Sequence, residues 1–153
     1  MNPEKFVDWK HLTKRYWRAI CVRSIADSDI QIARELLNDR AFAAWSQMPV
    51  SDQSHSLEVL ARFEVLLPKA SRAEKCGVLL HDIGKLKSGL GIFGRVCATI
   101  IGPRGNRFVQ YHNHEAIGAE IVSEFGLDQV SIDLVGGISQ SEALDALRAA
   151  DAI

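Results

Sequence analysis

The chain has 153 residues, 47% of them hydrophobic, and a formal net charge of −1, which suits one soluble domain large enough to bury a real core. Acids and bases are interspersed and nearly balanced, which argues against an extended nucleic-acid surface, and no apolar run approaches the length of a membrane span. Residues 1–10 lack the apolar centre of a secretory signal, and Cys21, Cys76 and Cys97 are odd in number, far apart and without a CxxC, so they read as buried thiols of a cytoplasmic protein.

Helical periodicity begins over residues 3–22, with Phe6, Trp9, Leu12, Tyr16, Trp17 and Ile20 as a core-facing stripe. Lys10, Lys14, Arg15 and Arg18 give that segment a solvated basic face. Ser28-Asp29-Ile30-Gln31 has the form of a capping box and predicts a second helix, with Ile32, Leu36 and Leu37 as its apolar face. Asn38-Asp39-Arg40 interrupts it before residues 41–48, where Trp45 and Met48 are expected to point inward, and Pro49 breaks the helix. Ser51 or Asp52 can cap the next one, which places His55, Val59, Phe63 and Leu66 on one face and ends at Pro68. Ser71-Arg72-Ala73-Glu74 is a second capping box, opening a helix through Cys76, Val78, Leu79, His81 and Asp82 that ends at Gly84 and the Ser88-Gly89-Leu90-Gly91 stretch. Residues 92–101 are apolar and predict a short helix, and 101–106 a loop. The pattern of Phe108, Tyr111, Ile117, Ile121 and Val122 predicts a helix over 107–125 closed by Gly126. After a short apolar piece over 127–138, Ser139-Gln140-Ser141-Glu142 is a third capping box, and the last helix carries Leu144, Leu147 and Asp151 on one side. No strand and no internal repeat is expected.

Val78-Leu79-Leu80-His81-Asp82-Ile83-Gly84-Lys85 sets a His beside an Asp straight after an apolar run. Neutral imidazole and carboxylate are ligands for a divalent cation, and neighbouring helical positions lie about 100° apart, so both can reach one ion between them. Two ligands do not complete a site; His55, His114 and Asp151 are the further candidates. Taken singly, His55 reads as a core or cap residue, Asp151 as a solvated acid, and His81-Asp82 as a helix-terminal pair. Their conjunction on apolar faces, where unpaired charge is costly, favours a shared cation. His112 and His114 point about 200° apart on a helix, so one ion cannot take both.

The order His…His-Asp…Asp around Leu79-Leu80-His81-Asp82-Ile83-Gly84-Lys85 resembles the HD-domain metal-dependent phosphohydrolases, over roughly residues 52–151. The resemblance implies His55, His81, Asp82 and Asp151 as ligands of one divalent ion, with Mn²⁺, Fe²⁺, Co²⁺ or Ni²⁺ suited to two imidazoles and two carboxylates, and Zn²⁺ or Mg²⁺ as further options. The ion would activate a water and polarise a phosphoryl group, with Asp82 orienting that water. Lys85, otherwise a snorkelling surface lysine, would hold a substrate phosphate. His114 falls in the family's later His-Glu-x-x-Gly pattern, here His114-Glu115-Ala116-Ile117-Gly118, and would protonate the leaving oxygen. Arg95, in the glycine-rich stretch 89–95, is a weaker phosphate candidate. Members with two metals carry further histidines later in the chain; Gly136-Gly137-Ile138-Ser139-Gln140-Ser141-Glu142 has none, which speaks for a mononuclear site and against cyclic-dinucleotide or oxygenase chemistry.

The expectation is therefore an all-α single-domain bundle of about seven helices, with N-terminal helices (1–50) packed on a metal-binding core (51–153). Its expected activity is metal-dependent hydrolysis of a nucleotide or another small phosphate ester. The alternative is a non-catalytic metal- or nucleotide-binding module acting as a sensor or partner domain.

Overall fold

A computed structural model describes residues 24–88, 113–138 and 140–153. The expected helices over 3–22 and 92–101, the expected loop over 101–106 and the expectations for Cys21, Arg95, Cys97 and His112 lie outside the described residues. Those residues form helices α1 (Asp27–Leu36), α2 (Asp39–Trp45), α3 (Val50–Leu66), α4 (Arg72–Leu80), α5 (Lys85–Ser88, a single turn), α6 (His114–Ser123), α7 (Gln129–Val135) and α8 (Glu142–Asp151). They include no strand, so the fold is all-α as expected. No described helix is long and apolar enough to cross a membrane.

The centre of the bundle is α4. The capping box starts it as the sequence predicts: Glu74 N–H donates to Ser71 Oγ at 3.2 Å, and Ser71 N–H donates to the Glu74 carboxylate at 2.6 Å. Cys76, Gly77, Val78, Leu79 and Leu80 then follow with every residue buried. A run buried all round must be covered on several sides, and α4 packs against α7, α3 and α1. The approach to α7 is close because Gly77 carries no side chain. A methyl there would sit 2.9 Å from Leu134 Cβ and 3.1 Å from the Ser131 carbonyl oxygen. Ser131 Oγ fastens the same contact by donating to the Ala73 carbonyl at 2.6 Å.

Around that centre, α3 packs on α8 and α7 on α6. Val59, Leu60 and Phe63 of α3 and Leu144, Leu147 and Ala150 of α8 all belong to the core. Helices α1 and α2 are tied on by polar caps. The Arg72 guanidinium donates to the carbonyls of Leu36 and Glu35, the orphan acceptors at the end of α1. Asn38 caps α2 by accepting from Ala41 N–H, and its amide donates to the Phe125 carbonyl beyond α6. Trp45 is buried, and its Nε1–H donates to buried Ser56 Oγ at 3.0 Å, which donates in turn to the Gln53 carbonyl at 2.8 Å. Trp45 and Met48 thus point inward, as their positions predict.

Several boundaries differ from the periodicity. Helix α1 starts at Asp27 with Ala26 at its N-cap and no side-chain cap, so Ser28 is inside the helix. This phase turns Ala33 and Leu37 to the core and leaves Ile32 exposed. Helix α3 starts at Val50 behind Pro49, and neither Ser51 nor Asp52 is the cap. Asp52 lies instead in the first turn, where a carboxylate favours the partial positive charge of the helix end. At the other end of α3, Leu66 is exposed, off the face shared by Val59 and Phe63. Helix α6 begins at His114, with Asn113 ahead of it in a turn, and 107–112 lie outside the described residues. Ser141 caps α8 by accepting from Leu144 N–H at 3.3 Å, and Ser139 lies outside the described residues. Gly126 takes φ +70° after α6, the left-handed conformation expected of its cap role.

Candidate metal centre

Helix α4 stops at Leu80, immediately before the His-Asp pair and two residues short of the expected end at Asp82. The cause is local. His81 Nδ1–H donates to the Val78 carbonyl at 2.7 Å, and the backbone tightens into i→i+3 bonds from Ile83 N–H to Leu80, Lys85 N–H to Asp82 and Leu86 N–H to Ile83. With three residues per turn, side chains at i and i+3 stand over each other. Lys85 therefore lies directly on Asp82, and its Nζ pairs with Asp82 Oδ2.

The turn carrying His81 and Asp82 is pressed against the start of α6. Gly84 makes this possible. A methyl at Gly84 would lie 2.8 Å from Gly118 N and from the His114 carbonyl carbon, and closer still to the His114 carbonyl oxygen. The result sets His114 Nε2 3.6 Å from Asp82 Oδ1, opposite the Oδ2 that faces Lys85 and His81. Gly84 and Gly118 were not singled out for this role. The signal was a glycine in each of the two motifs with no cap to explain the second.

Helices α3 and α8 bring the other two candidates. His55 Nε2 lies 2.8 Å from Asp151 Oδ1, close enough for an N–H to donate, across 96 residues of sequence. The His55 and His81 rings are neighbours, tilted at 58° with centroids 5.7 Å apart. Ligand atoms of His55, His81 and Asp82 lie within 4.8 Å of one another. Asp151 Oδ1 is 3.8 Å from His81 Nε2 and completes a second carboxylate edge. The structure thus gathers the residues predicted from separate parts of the chain: His55, His81, Asp82 and Asp151, with Lys85 and His114 on Asp82. His81 and Asp82 are buried at 8% and 4% exposure, while His55, His114 and Asp151 form a more accessible rim.

One atom tests whether a cation fits. His81 Nε2 is the only buried side-chain nitrogen or oxygen among the described residues with no hydrogen-bond partner. It is 3.6 Å from Asp82 Oδ2 and 3.8 Å from Asp151 Oδ1, beyond hydrogen-bond reach of either. Because Nδ1–H is spent on the Val78 carbonyl, the neutral ring presents a lone pair at Nε2. An orphaned lone pair, a second imidazole and two carboxylates are a donor set that fits a divalent ion.

The charges agree. Burial alone would push the His81 imidazole down, but the carboxylates of Asp82 and Asp151 outweigh it and hold its pKa above the ordinary value in the metal-free protein. Burial likewise opposes ionisation of Asp82, yet Lys85 first, then the neighbouring His81 and His114, keep its carboxyl well below the usual carboxylate range. Asp82 is therefore an anion in a nearly dry setting.

No curated protein and no solved structure shows significant similarity to the chain. A family model does: residues 53–149 match the HD domain, a superfamily made up mostly of metal-dependent phosphohydrolases. The match runs from the first turns of α3 to the last turn of α8 and takes in His55, the His81-Asp82 pair and the α6 histidine, so the chain belongs to the HD domain family.

Proposed function

We propose that the chain is a metal-dependent phosphohydrolase that acts on a nucleotide or another small phosphate ester. The observation that carries the reading is the buried, partnerless Nε2 of His81, aimed at the space that His55, Asp82 and Asp151 also border. These four residues hold one divalent ion, with Mn²⁺, Fe²⁺, Co²⁺ or Ni²⁺ the best match to two nitrogens and two oxygens. When bound, such an ion acts as a Lewis acid that lowers the pKa of a coordinated water and polarises a phosphoryl oxygen.

The chain's own residues supply the rest. Asp82 accepts a proton from the attacking water or orients it, from the carboxylate that Lys85 and His114 flank. Lys85 has three N–H donors. Its ammonium pairs with Asp82, which sets a compact cation at the same turn for a phosphate oxygen. His114, on the accessible rim and 3.6 Å from Asp82, gives its proton to the leaving oxygen. Its position at the first residue of α6 lets the ring reach outward without crossing the core. The near-neutral net charge favours a small substrate over a polyanionic chain.

The test is a phosphatase and phosphodiesterase substrate screen with Mn²⁺, Co²⁺, Ni²⁺ and Mg²⁺, run beside metal analysis of the purified protein and of His81→Ala. Metal-dependent turnover that disappears with the metal in His81→Ala is the expected result. Stoichiometric metal without turnover on any phosphate ester would instead make the chain a binding module. Metal content unaffected by His81→Ala would end the assignment of the site.

A further inference from the structure

Asp151 presents an electrostatic problem. It is the last residue of α8, and the C-terminal end of a helix carries partial negative charge that repels a carboxylate. The backbone carbonyls of a final turn also lack intrahelical partners. Both are met by Arg62 of α3. Its Nη1–H donates to the Ala150 carbonyl at 3.1 Å, one residue before Asp151. Its Nη2–H donates to Glu58 Oε2 at 3.1 Å, an i,i+4 pair that holds the guanidinium in place. Arg62 lies seven residues after His55, so both project from one face of α3 toward α8. That face therefore grips the end of α8 at two points: His55 at the Asp151 side chain and Arg62 at the carbonyl just before it.

We propose that Arg62 is a positioning residue for the metal site, fixing the last turn of α8 against α3 so that the Asp151 carboxylate is held at the His55–His81 pair. The proposal rests on the metal-site reading above. Arg62 touches neither the ion nor the substrate; it acts through Asp151. Removing its hydrogen bonds releases the turn, and the loss appears in the metal's affinity and coordination.

Co²⁺ is the probe, titrated into the full chain and followed by calorimetry and by its visible absorption. Unaltered protein and His81→Ala come first. If the unaltered protein binds no Co²⁺, or His81→Ala binds it as tightly, the metal-site reading fails and takes this proposal with it. With the site established, Arg62→Gln is expected to weaken Co²⁺ binding by about 10- to 100-fold, the range typical of groups that orient ligands, and to change the absorption bands. Arg62→Lys should recover part of the affinity, because an ammonium can still reach the Ala150 carbonyl. Asp151→Asn should weaken binding as well, and adding Arg62→Gln to it should change little more, since the two act on one carboxylate. Equal losses from Arg62→Gln with and without Asp151→Asn would show that Arg62 does not work through Asp151. An unchanged affinity and spectrum with a lower melting temperature would make Arg62 ordinary packing. Should Arg62→Gln fail to fold, Arg62→Lys and Glu58→Gln decide, and unaltered Co²⁺ binding in both overturns the proposal.

Discussion

Gly84→Ala isolates the close approach on which the site depends. Gly84 does not have a positive φ, so alanine meets no backbone penalty there and the effect is purely steric. The added methyl would stand 2.8 Å from two backbone atoms, Gly118 N and the His114 carbonyl carbon, and nearer to the His114 carbonyl oxygen. Carbon atoms in contact prefer about 3.5–4.0 Å, so the His-Asp turn and α6 must separate by more than about 1 Å. The obstacle is backbone, and no side chain can rotate out of the way. Overpacking of this kind costs about 1–3 kcal/mol or more, and each kcal/mol lowers the melting temperature of a chain this size by about 2–4 °C. Because the clash is with backbone, the upper part of that range, about 2–3 kcal/mol, applies, and a fall of about 4–12 °C follows, measurable by circular dichroism. The same displacement carries His114 away from Asp82, so activity should fall further than stability accounts for. Gly118→Ala provides the contrast: its methyl would meet chiefly Val135 Cγ1 at 2.9 Å, a side chain that can yield, and alanine favours the helix by about 1 kcal/mol. Gly118→Ala should therefore be much milder. A Gly84→Ala protein that melts within a degree or two of the parent, or a Gly118→Ala protein that is the worse of the pair, would refute the close contact between this turn and α6.

Other expectations concern separate groups. Lys85→Ala should chiefly raise KM, while His114→Ala should chiefly lower kcat, by about 10²–10⁴-fold on alkyl phosphates and less on aryl phosphates, with metal content kept in both; loss of metal from His114→Ala would place it among the ligands. Ser56→Ala strands the buried Trp45 Nε1–H and should cost about 1–3 kcal/mol in urea unfolding without changing metal affinity, and a neutral result would mean that the indole finds another acceptor. In chelated protein, His81 has a raised folded pKa, so its contribution to stability is complete below the ordinary imidazole pKa and is lost as pH rises through the folded value; urea midpoints across that window, compared with His81→Ala, test it. Metal affinity should rise over the same window, because the imidazole must shed its proton to ligate, and a Co²⁺ affinity independent of pH there would contradict the raised value.

What the sequence showed and what it hid divide along physical lines. The start of α4 was legible because its whole signal, the reciprocal Ser71–Glu74 cap and the apolar run behind it, fits within ten residues. The start of α8 was misread because Ser139-Gln140-Ser141-Glu142 offers two serines, and the capping-box form selects the first. Packing selects the second, since a cap at Ser141 turns Ala143, Leu144, Leu147 and Ala150 to the core. The same competition moved the start of α1 ahead of Ser28. The pairing of His55 with Asp151 leaves no local trace at all, and it was accessible only through the order of motifs that the family shares. The His81-Asp82 pair is the most instructive. Helical periodicity carries it as the end of α4, with ligands 100° apart. In the structure the helix has already ended, because the His81 ring takes up the Val78 carbonyl and the backbone changes to three residues per turn. That change stacks Lys85 on Asp82 and turns Nε2 of His81 toward His55, Asp82 and Asp151. A rule of 3.6 residues per turn fails there because the side chain that serves the candidate metal site also breaks the helix, and departures from local preference concentrate at functional positions.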